Sequence, residues 1–240
     1  MLNDQTNTKR HAQKQQISTM FNNIAPSYDL LNHLLSFGID IYWRKRAIRL
    51  LKPLKPKLIL DVATGTADFA IEAMNTKPDK VTGIDIAEKM LEIGRKKIER
   101  KKLQDKIGLL SGNCEKLQFQ GNYFDAVIVA FGVRNFEDLQ KGLTEMYRVT
   151  KPGGAAVILE FSKPKGFPFR QMYNFYFNNI LPLVGKVVSK NNSAYNYLPQ
   201  SVKAFPDGKD FVKILEKIGY RKTRYIPLTF GVCSIYMGEK

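Results

Sequence analysis

Asp61-Val62-Ala63-Thr64-Gly65-Thr66-Ala67-Asp68 is the stretch that decides the fold of this chain. It closes Leu58–Val62, a short apolar run, and leads into Phe69–Asn75, whose apolar residues recur at helical spacing. A buried strand, a turn of small residues and a helix therefore follow one another. Small side chains in the turn let the backbone approach a ligand closely, and Gly65 is the position suited to an unusual backbone angle.

The alternation continues downstream. Val81–Asp85 reads as a second strand, again ending on an acid. Glu88–Lys102 reads as a helix, apolar at Met90, Leu91, Ile93 and Ile98. Ile107–Leu110 is a third strand. Phe124–Phe131 is a fourth, apolar without alternation, as a parallel strand covered on both faces should be. Leu139–Val149 is a helix closed by Lys151-Pro152-Gly153-Gly154, and Ala155–Phe161 is a fifth strand. Strands alternating with helices imply a parallel, doubly wound α/β sheet. Its strand carboxyl ends share one edge, where ligands bind. Asp207–Ile218 returns to helix. Arg221–Thr229 and Val232–Met237 read as two last strands joined around Phe230-Gly231, a connection short enough to make them antiparallel.

Residues 1–17 are polar and aperiodic and read as a disordered tail. Residues 18–52 read as two or three short helices, a lid ahead of the main domain at 53–240. An insertion at about 163–204 interrupts that domain. It holds no Asp or Glu, but it does hold Lys163, Lys165, Arg170, Lys186, Lys190 and Lys203 among eight Phe and Tyr residues.

The 240 residues are 44% hydrophobic and 25% charged, ordinary for a globular protein, with a formal charge of +16. Such a balance suits nucleic acid, an anionic membrane surface or an acidic ligand, and equally a solvated basic surface. Ile180–Val188 is too short to span a bilayer and contains Lys186. The N-terminus lacks the layout of a secretion signal. Cys114 and Cys233 form neither a disulfide framework nor a metal-ligand pattern, so no metal is expected and a cytoplasmic location fits.

The turn also discriminates among nucleotides. A dinucleotide site wants Gly-x-Gly-x-x-Gly and a helix N-terminus open to pyrophosphate. Here Ala63–Ala67 holds one glycine, and Asp61 would repel a pyrophosphate and attract a cation. Asp85, 20 residues after Gly65, can accept hydrogen bonds from both ribose hydroxyls. A cationic nucleoside fits, and S-adenosylmethionine is one. Asn113, after strand three, can present its amide to an adenine amino group, while the backbone of this Asn113-Cys114-Glu115 turn reaches a ring nitrogen. A plain strand–helix connection is the bland alternative for the first turn, and a plain loop for the second.

Two further segments carry a family resemblance. Tyr28-Asp29-Leu30-Leu31-Asn32, with Ser36 and Trp43, resembles the first signature of the UbiE/MenG C-methyltransferases. Arg148-Val149-Thr150-Lys151-Pro152-Gly153-Gly154, with Glu160-Phe161-Ser162, resembles the second. Phe131-Gly132-Val133-Arg134-Asn135 is similar to the family's Phe-Gly-Leu-Arg-Asn element. The likeness runs from about Phe21 to the C-terminus. It departs at Asp40, where the signature usually has His, at Ala67, often Gly, and at Asn113, often Asp.

The resemblance implies a class I methyltransferase: a Rossmann-like, doubly wound sheet of seven strands, mostly parallel with a C-terminal antiparallel strand, beneath an N-terminal helical lid. It implies S-adenosylmethionine-dependent C-methylation of a polyprenylated quinol ring, a demethylmenaquinol first and a methoxy-polyprenyl-benzoquinol as the alternative. The cofactor positions it implies are Thr66, Asp85, Asn113 and Cys114, to which Asp61, Gly65, Ile86 and Ala130 are added as neighbours on the same edge.

Ring methylation needs a base or a cation that stabilises a quinolate. Arg134, just beyond strand four, is the expected stabiliser because it stays charged. Asn135 would orient the ring or a water, and Tyr28 and Asp29 would close over the site. The bland alternatives are a salt bridge for Arg134 and a helix cap for Asp29. Because such a substrate lives in a membrane, the acid-free insertion is expected to serve both as an interfacial surface and as an apolar acceptor pocket, with peripheral association at the inner face of an anionic membrane. A core-packed lid with solvated charges is the competing reading. No nucleic-acid partner is expected, since no base-flipping pocket or RNA-binding appendage is evident. An O-methyltransferase would often show a catalytic His or metal carboxylates, and a non-catalytic nucleotide-binding protein would not need the signatures. A homodimer is compatible with the sequence.

Overall fold

Short apolar strands can be buried on both faces only if helices cover both. The computed structural model, which describes residues 15–26, 28, 29, 33, 36, 38–180 and 193–240, shows this arrangement. Leu30–Asn32, Lys186, Lys190, residues 1–14 and most of Ile180–Val188 lie outside the described residues. Helix α1 (15–26) begins within the stretch expected to be a disordered tail, and Ile17 is buried. The boundary at residue 17 is therefore corrected: apolar burial beside the nucleotide edge holds those residues in the helix. Helix α2 (Ile39–Arg49) follows, entered through Gly38 at φ 74.

The core elements are β1 (Leu58–Val62), α3 (Asp68–Ala73), β2 (Lys80–Asp85), α4 (Glu88–Arg100), β3 (Ile107–Ser111), β4 (Phe124–Ala130), α5 (Leu139–Val149) and β5 (Thr150–Phe161). After them come α6 (Phe169–Phe175), α7 (Ser193–Ala204), α8 (Lys209–Ile218), β6 (Arg221–Leu228) and β7 (Cys233–Glu239). Seven strands form one sheet in the order β3-β2-β1-β4-β5-β7-β6. β1 to β5 pair in parallel, and β7 runs antiparallel between β5 and β6.

Alternate strand residues feed two cores. Ile59, Ile128, Val157 and Ile235 pack with Trp43, Ile48, Phe69 and Leu91 from α2, α3 and α4. Leu60, Val127, Ile158 and Tyr236 pack with Leu143, Met146, Phe211 and Leu215 from α5 and α8. β6 is the edge, and it carries Arg221, Lys222, Arg224 and Pro227, which discourage a further strand from pairing there.

β5 begins earlier than its apolar run suggests. Phe124 pairs with Thr150, and the register then jumps to Ala126 opposite Ala155. The intervening Lys151–Gly154 bulges out. Gly153 sits at φ 79, and a Cβ on Gly154 would lie 2.6 Å from the Asp125 carbonyl oxygen. Glycine is required at both positions, so the Lys-Pro-Gly-Gly stretch is a strand irregularity rather than only a helix terminus. The carboxyl ends of β1, β2, β4 and β5 open on one edge beneath α1 and α2, which places the site.

Candidate active site

Three connected hollows lie on that edge. A cavity of about 80 Å³ is lined by Gly65, Asp85, Ile86, Cys114, Ala130 and Asn135, with Ile17, Phe21 and Tyr28 from the lid. Of the expected cofactor residues, it gathers Gly65, Asp85, Ile86, Cys114 and Ala130. Gly65 adopts φ 55, and a Cβ there would meet only open space, which is the hollow itself. Asp85 accepts from the backbone amides of Gly65 and Ala87, both at 2.9 Å. Those bonds fix the carboxylate's orientation, and burial pushes its ionisation up. Asn113 does not line this hollow; its side-chain oxygen accepts from the Glu115 amide at 3.0 Å, within its own turn. Cys114 does line it.

A smaller hollow of about 30 Å³ is lined by Asp61, Thr64, Gly65, Thr66 and Arg44. Asp61 is fully buried: one oxygen accepts from the Thr64 hydroxyl at 2.6 Å, and the other has no partner among the described residues. Burial pushes its carboxyl up to about 7, against the Thr64 hydrogen bond and with the charge of Asp85 adding to the rise. An orphaned buried carboxylate oxygen beside a buried guanidinium suits a zwitterionic amino-acid group. Arg44 was not singled out from sequence; its adjacency to Trp43 in the first signature was the available signal. It pairs with Asp40, which also accepts from Ser36 at 2.6 Å and from His33. Burial would raise the Asp40 carboxyl, but these partners hold it below the usual carboxylate range.

Thr66 lines this hollow, and its hydroxyl is engaged with the lid and α4. It donates to Asp29 at 2.5 Å and accepts from Lys97 at 2.9 Å. Lys97 also pairs with Asp29 and Asp68, each at 2.6 Å. Asp29 thus clamps the lid to α4 and borders none of the three hollows.

The third cavity, about 410 Å³, is mostly apolar. Its walls include Trp43, Phe161, Tyr173, Phe177, Leu198 and Phe230, and it shares Phe21, Tyr28 and Phe131 with the nucleotide hollow. Phe131 adopts φ 57, costly for a bulky residue, and its ring lies 4.6 Å from that of Phe161. The turn that follows it, Val133–Asn135, delivers Arg134 to this cavity and Asn135 to the nucleotide hollow. Arg134 pairs with the fully buried Glu160 at 2.8 Å. Asn135 accepts from the Tyr197 hydroxyl at 3.0 Å. Glu160 and Tyr197 were not expected as site residues. An acid inside an apolar strand was the signal for Glu160; for Tyr197 it was only membership of the aromatic insertion, since α7 is distant in sequence. The structure brings Tyr28 and Arg134 to one cavity and leaves Asp29 outside it.

Comparison with known proteins gives the fold and the family. A Thermotoga maritima S-adenosylmethionine-dependent methyltransferase, described as a possible histamine N-methyltransferase, superposes with a TM-score of 0.66 at 18% identity, covering 92% of this chain and 99% of that one. A demethylmenaquinone methyltransferase of Bacteroides fragilis is 50% identical over 227 residues, 94% of this chain and 93% of its own length. The ubiquinone/menaquinone biosynthesis C-methyltransferase UbiE of Geotalea daltonii is 44% identical over 228 residues, 94% of this chain and 97% of its own length. Residues 9–240 match the model of the ubiE/COQ5 methyltransferase family. The chain belongs to the ubiE/COQ5 methyltransferase family and is a methyltransferase.

Proposed function

We propose that the protein methylates a ring carbon of a polyprenylated quinol, demethylmenaquinol in the first place, with S-adenosylmethionine as methyl donor. One observation carries this reading: a mostly apolar cavity of about 410 Å³ adjoins the nucleotide hollow across Tyr28 and Phe131, with a buried Arg134 in its wall. Its size and lining suit a small aromatic ligand with an apolar tail.

When bound, the donor supplies an electrophilic methyl carbon on a positively charged sulfur. Asp85 is placed to accept from the ribose hydroxyls. Asp61 and Arg44 are placed to bind the ammonium and carboxylate of the amino-acid end. Ile86, Cys114 and Ala130, which line the hollow, would flank the nucleoside. An aromatic carbon is a weak nucleophile until a ring hydroxyl ionises. Arg134, held by Glu160, is aimed to stabilise the oxyanion that results. Asn135, fixed by Tyr197, orients the ring edge or a water that takes its proton. Tyr28 and the α1 helix exclude water from the junction of the two hollows.

The mouth of the acceptor cavity is an apolar edge. Met172 and Phe230 line the cavity and are exposed, Phe169 stacks on Phe230 at 3.7 Å, and Phe167 and Phe175 are exposed on the same stretch of chain as Met172. Lys165 and Arg170 stand among them in a stretch without acids. This surface supports peripheral contact with an anionic membrane, from which the quinol would enter. Among the described residues no helix is long and apolar enough to cross a membrane.

The deciding assay supplies radiolabelled S-adenosylmethionine with either demethylmenaquinol or the methoxy-polyprenyl-benzoquinol and reads the product by mass. Label on the naphthoquinol ring carbon is expected. Transfer to the benzoquinol alone would move the protein to the ubiquinone branch, and transfer to neither would end the quinol reading.

A further inference from the structure

The acceptor cavity has two unlike ends. Among the described residues two cations line it, Arg134 and Arg44. They stand over the rings of Phe161 and Phe131, at 5.4 and 5.9 Å from the ring centres, and those two rings lie 4.6 Å apart. The charge is therefore gathered at one end, where Phe131 also borders the nucleotide hollow. From there the wall leads outward. Phe161 stands edge-on to Trp43 at 6.2 Å, and the Trp43 indole donates to Thr229 at 2.8 Å. Thr229 precedes Phe230, whose ring lies nearly face to face on Phe169, 3.7 Å away and 5° from parallel. Met172, three residues on from Phe169 along α6, shares its helix face. All of these residues line the cavity, yet Met172 is 62% and Phe230 69% exposed, so the apolar wall reaches the surface at this end.

Phe230 sits there against two penalties. Thr229, Phe230 and Gly231, at the β6–β7 turn, have φ of 46, 56 and 93. Tight hairpin turns with such angles favour Asn and Gly, and a bulky side chain in the left-handed region is strained. The Trp43 bond accounts for Thr229. Phe230 has one ring partner among the described residues, Phe169, in a face-to-face geometry that aromatic pairs do not favour. A ring held in a strained turn and left to water is accounted for by an apolar occupant.

We propose that Phe169 and Phe230 form the subsite for the acceptor's prenyl tail and set the enzyme's preference for a prenylated ring over a bare one. The inference rests on the quinol reading of the cavity. The oxygen-bearing ring belongs at the end that holds the cations and adjoins the methyl donor, so the tail leaves at the end that is apolar and open. Its isoprene units lie along the paired rings and Met172, covering apolar surface that water otherwise touches. Phe167 and Phe175 are exposed as well but do not line the cavity, and they take no part in this selection.

The test uses the full-length enzyme with S-adenosylmethionine in neutral detergent micelles, where no anionic surface contributes. The acceptors are 1,4-naphthoquinol with a geranylgeranyl tail and 1,4-naphthoquinol without one. Wild-type protein should favour the tailed acceptor in kcat/KM. Phe230→Gly and Phe169→Ala should each lower that preference by about tenfold, through KM for the tailed acceptor. Phe230→Tyr keeps the ring face and should keep the preference. Phe230→Gly should melt no lower than wild type, because glycine is at ease at φ 56 and the ring it removes is mostly exposed. Phe169→Ala reads the same subsite from α6, so the proposal stays decidable if the turn variant fails to fold. A preference unchanged in Phe169→Ala, an equal loss on both acceptors, or a wild-type protein with no preference overturns the proposal alone. A wild-type protein that methylates neither acceptor overturns the quinol reading and the proposal with it.

Discussion

Arg134 and Glu160 form a buried ion pair, 2.8 Å from Nη1 to Oε1, where the turn after β4 meets the end of β5. The Glu160 side chain is fully buried, and it also accepts from the backbone amides of Phe161 and Arg134 at 2.8 and 3.3 Å. Burial pushes its carboxyl up, and the Arg134 charge pulls back. On the mechanism proposed above, Glu160 would act through Arg134, as a positioning residue for the guanidinium.

Removing one partner of a buried pair strands the other, at a cost of about 3–5 kcal/mol. Glu160→Ala should lower the urea midpoint accordingly. Glu160→Gln should fold but lose about tenfold or more in kcat, with S-adenosylmethionine affinity kept, because a neutral amide holds the guanidinium less firmly. Arg134→Ala should abolish turnover while cofactor binding survives. Near-normal turnover in that variant would remove Arg134 from the chemistry.

Asp61 should couple cofactor binding to protons. Its carboxyl lies at about 7 in the folded protein against an ordinary 3.8, so the ligand-free fold holds this proton more tightly than the unfolded chain. That contribution to stability is complete below about pH 4 and is lost as pH rises through 7. A cation docked beside Asp61 favours the carboxylate instead. S-adenosylmethionine affinity should thus rise with pH up to about 7, with proton release near pH 6.5 visible by calorimetry in buffers of different ionisation heat. Asp61→Asn should flatten the dependence. Equal proton release from the variant would assign the proton elsewhere.

The Asp29–Lys97 contact, 2.6 Å, ties the lid to α4 through a cluster that includes Thr66 and Asp68. Asp29→Asn should weaken S-adenosylmethionine binding by about tenfold, chiefly through faster release, with kcat at saturation little changed. Stopped-flow dissociation measures this. A large loss of kcat with unchanged release would restore Asp29 to the chemistry.

Trp43 is the chain's one tryptophan, buried, with its indole N–H donating to Thr229 at 2.8 Å on the wall of the acceptor cavity. Its emission should be blue-shifted, and menadione should quench it saturably. Binding of S-adenosylhomocysteine alone should quench it less, since Trp43 does not line the nucleotide hollow. Quenching by menadione that is linear with concentration would place the quinone outside this cavity.

The exposed aromatics outside the cavity wall, Phe167 and Phe175, should matter only when the substrate comes from a bilayer. Phe167→Ser with Phe175→Ser should reduce sedimentation with anionic vesicles at low salt and slow methylation of vesicle-borne quinol several-fold. A short-chain quinol in solution should still be methylated normally. Wild-type protein that ignores anionic vesicles would argue against a membrane role.

Much of this molecule was legible in its sequence. Apolar runs of strand length, the single-glycine turn at Asp61–Asp68 and Asp85 at the next strand end specified a parallel sheet with a site for a cationic nucleoside, because strand burial and turn geometry are local properties. The segments around Tyr28, Phe131 and Arg148 carried the family. Tertiary packing decided the rest. It turned Asp29 and the Thr66 hydroxyl toward Lys97, spent the Asn113 side-chain oxygen within its own turn, and brought Arg44 beside Asp61. It set Glu160 against Arg134 across two strands, and Tyr173 and Tyr197 against the same edge from the insertion. Tyr197 and Asn135, for one, lie 62 residues apart in the chain. Side-chain pairing at such distances follows from which helix covers which strand end, and no local spacing encodes it. The Asp61–Asp68 turn thus announced a nucleoside site, whereas the apolar cavity beside it exists only once β4, β5 and the insertion meet.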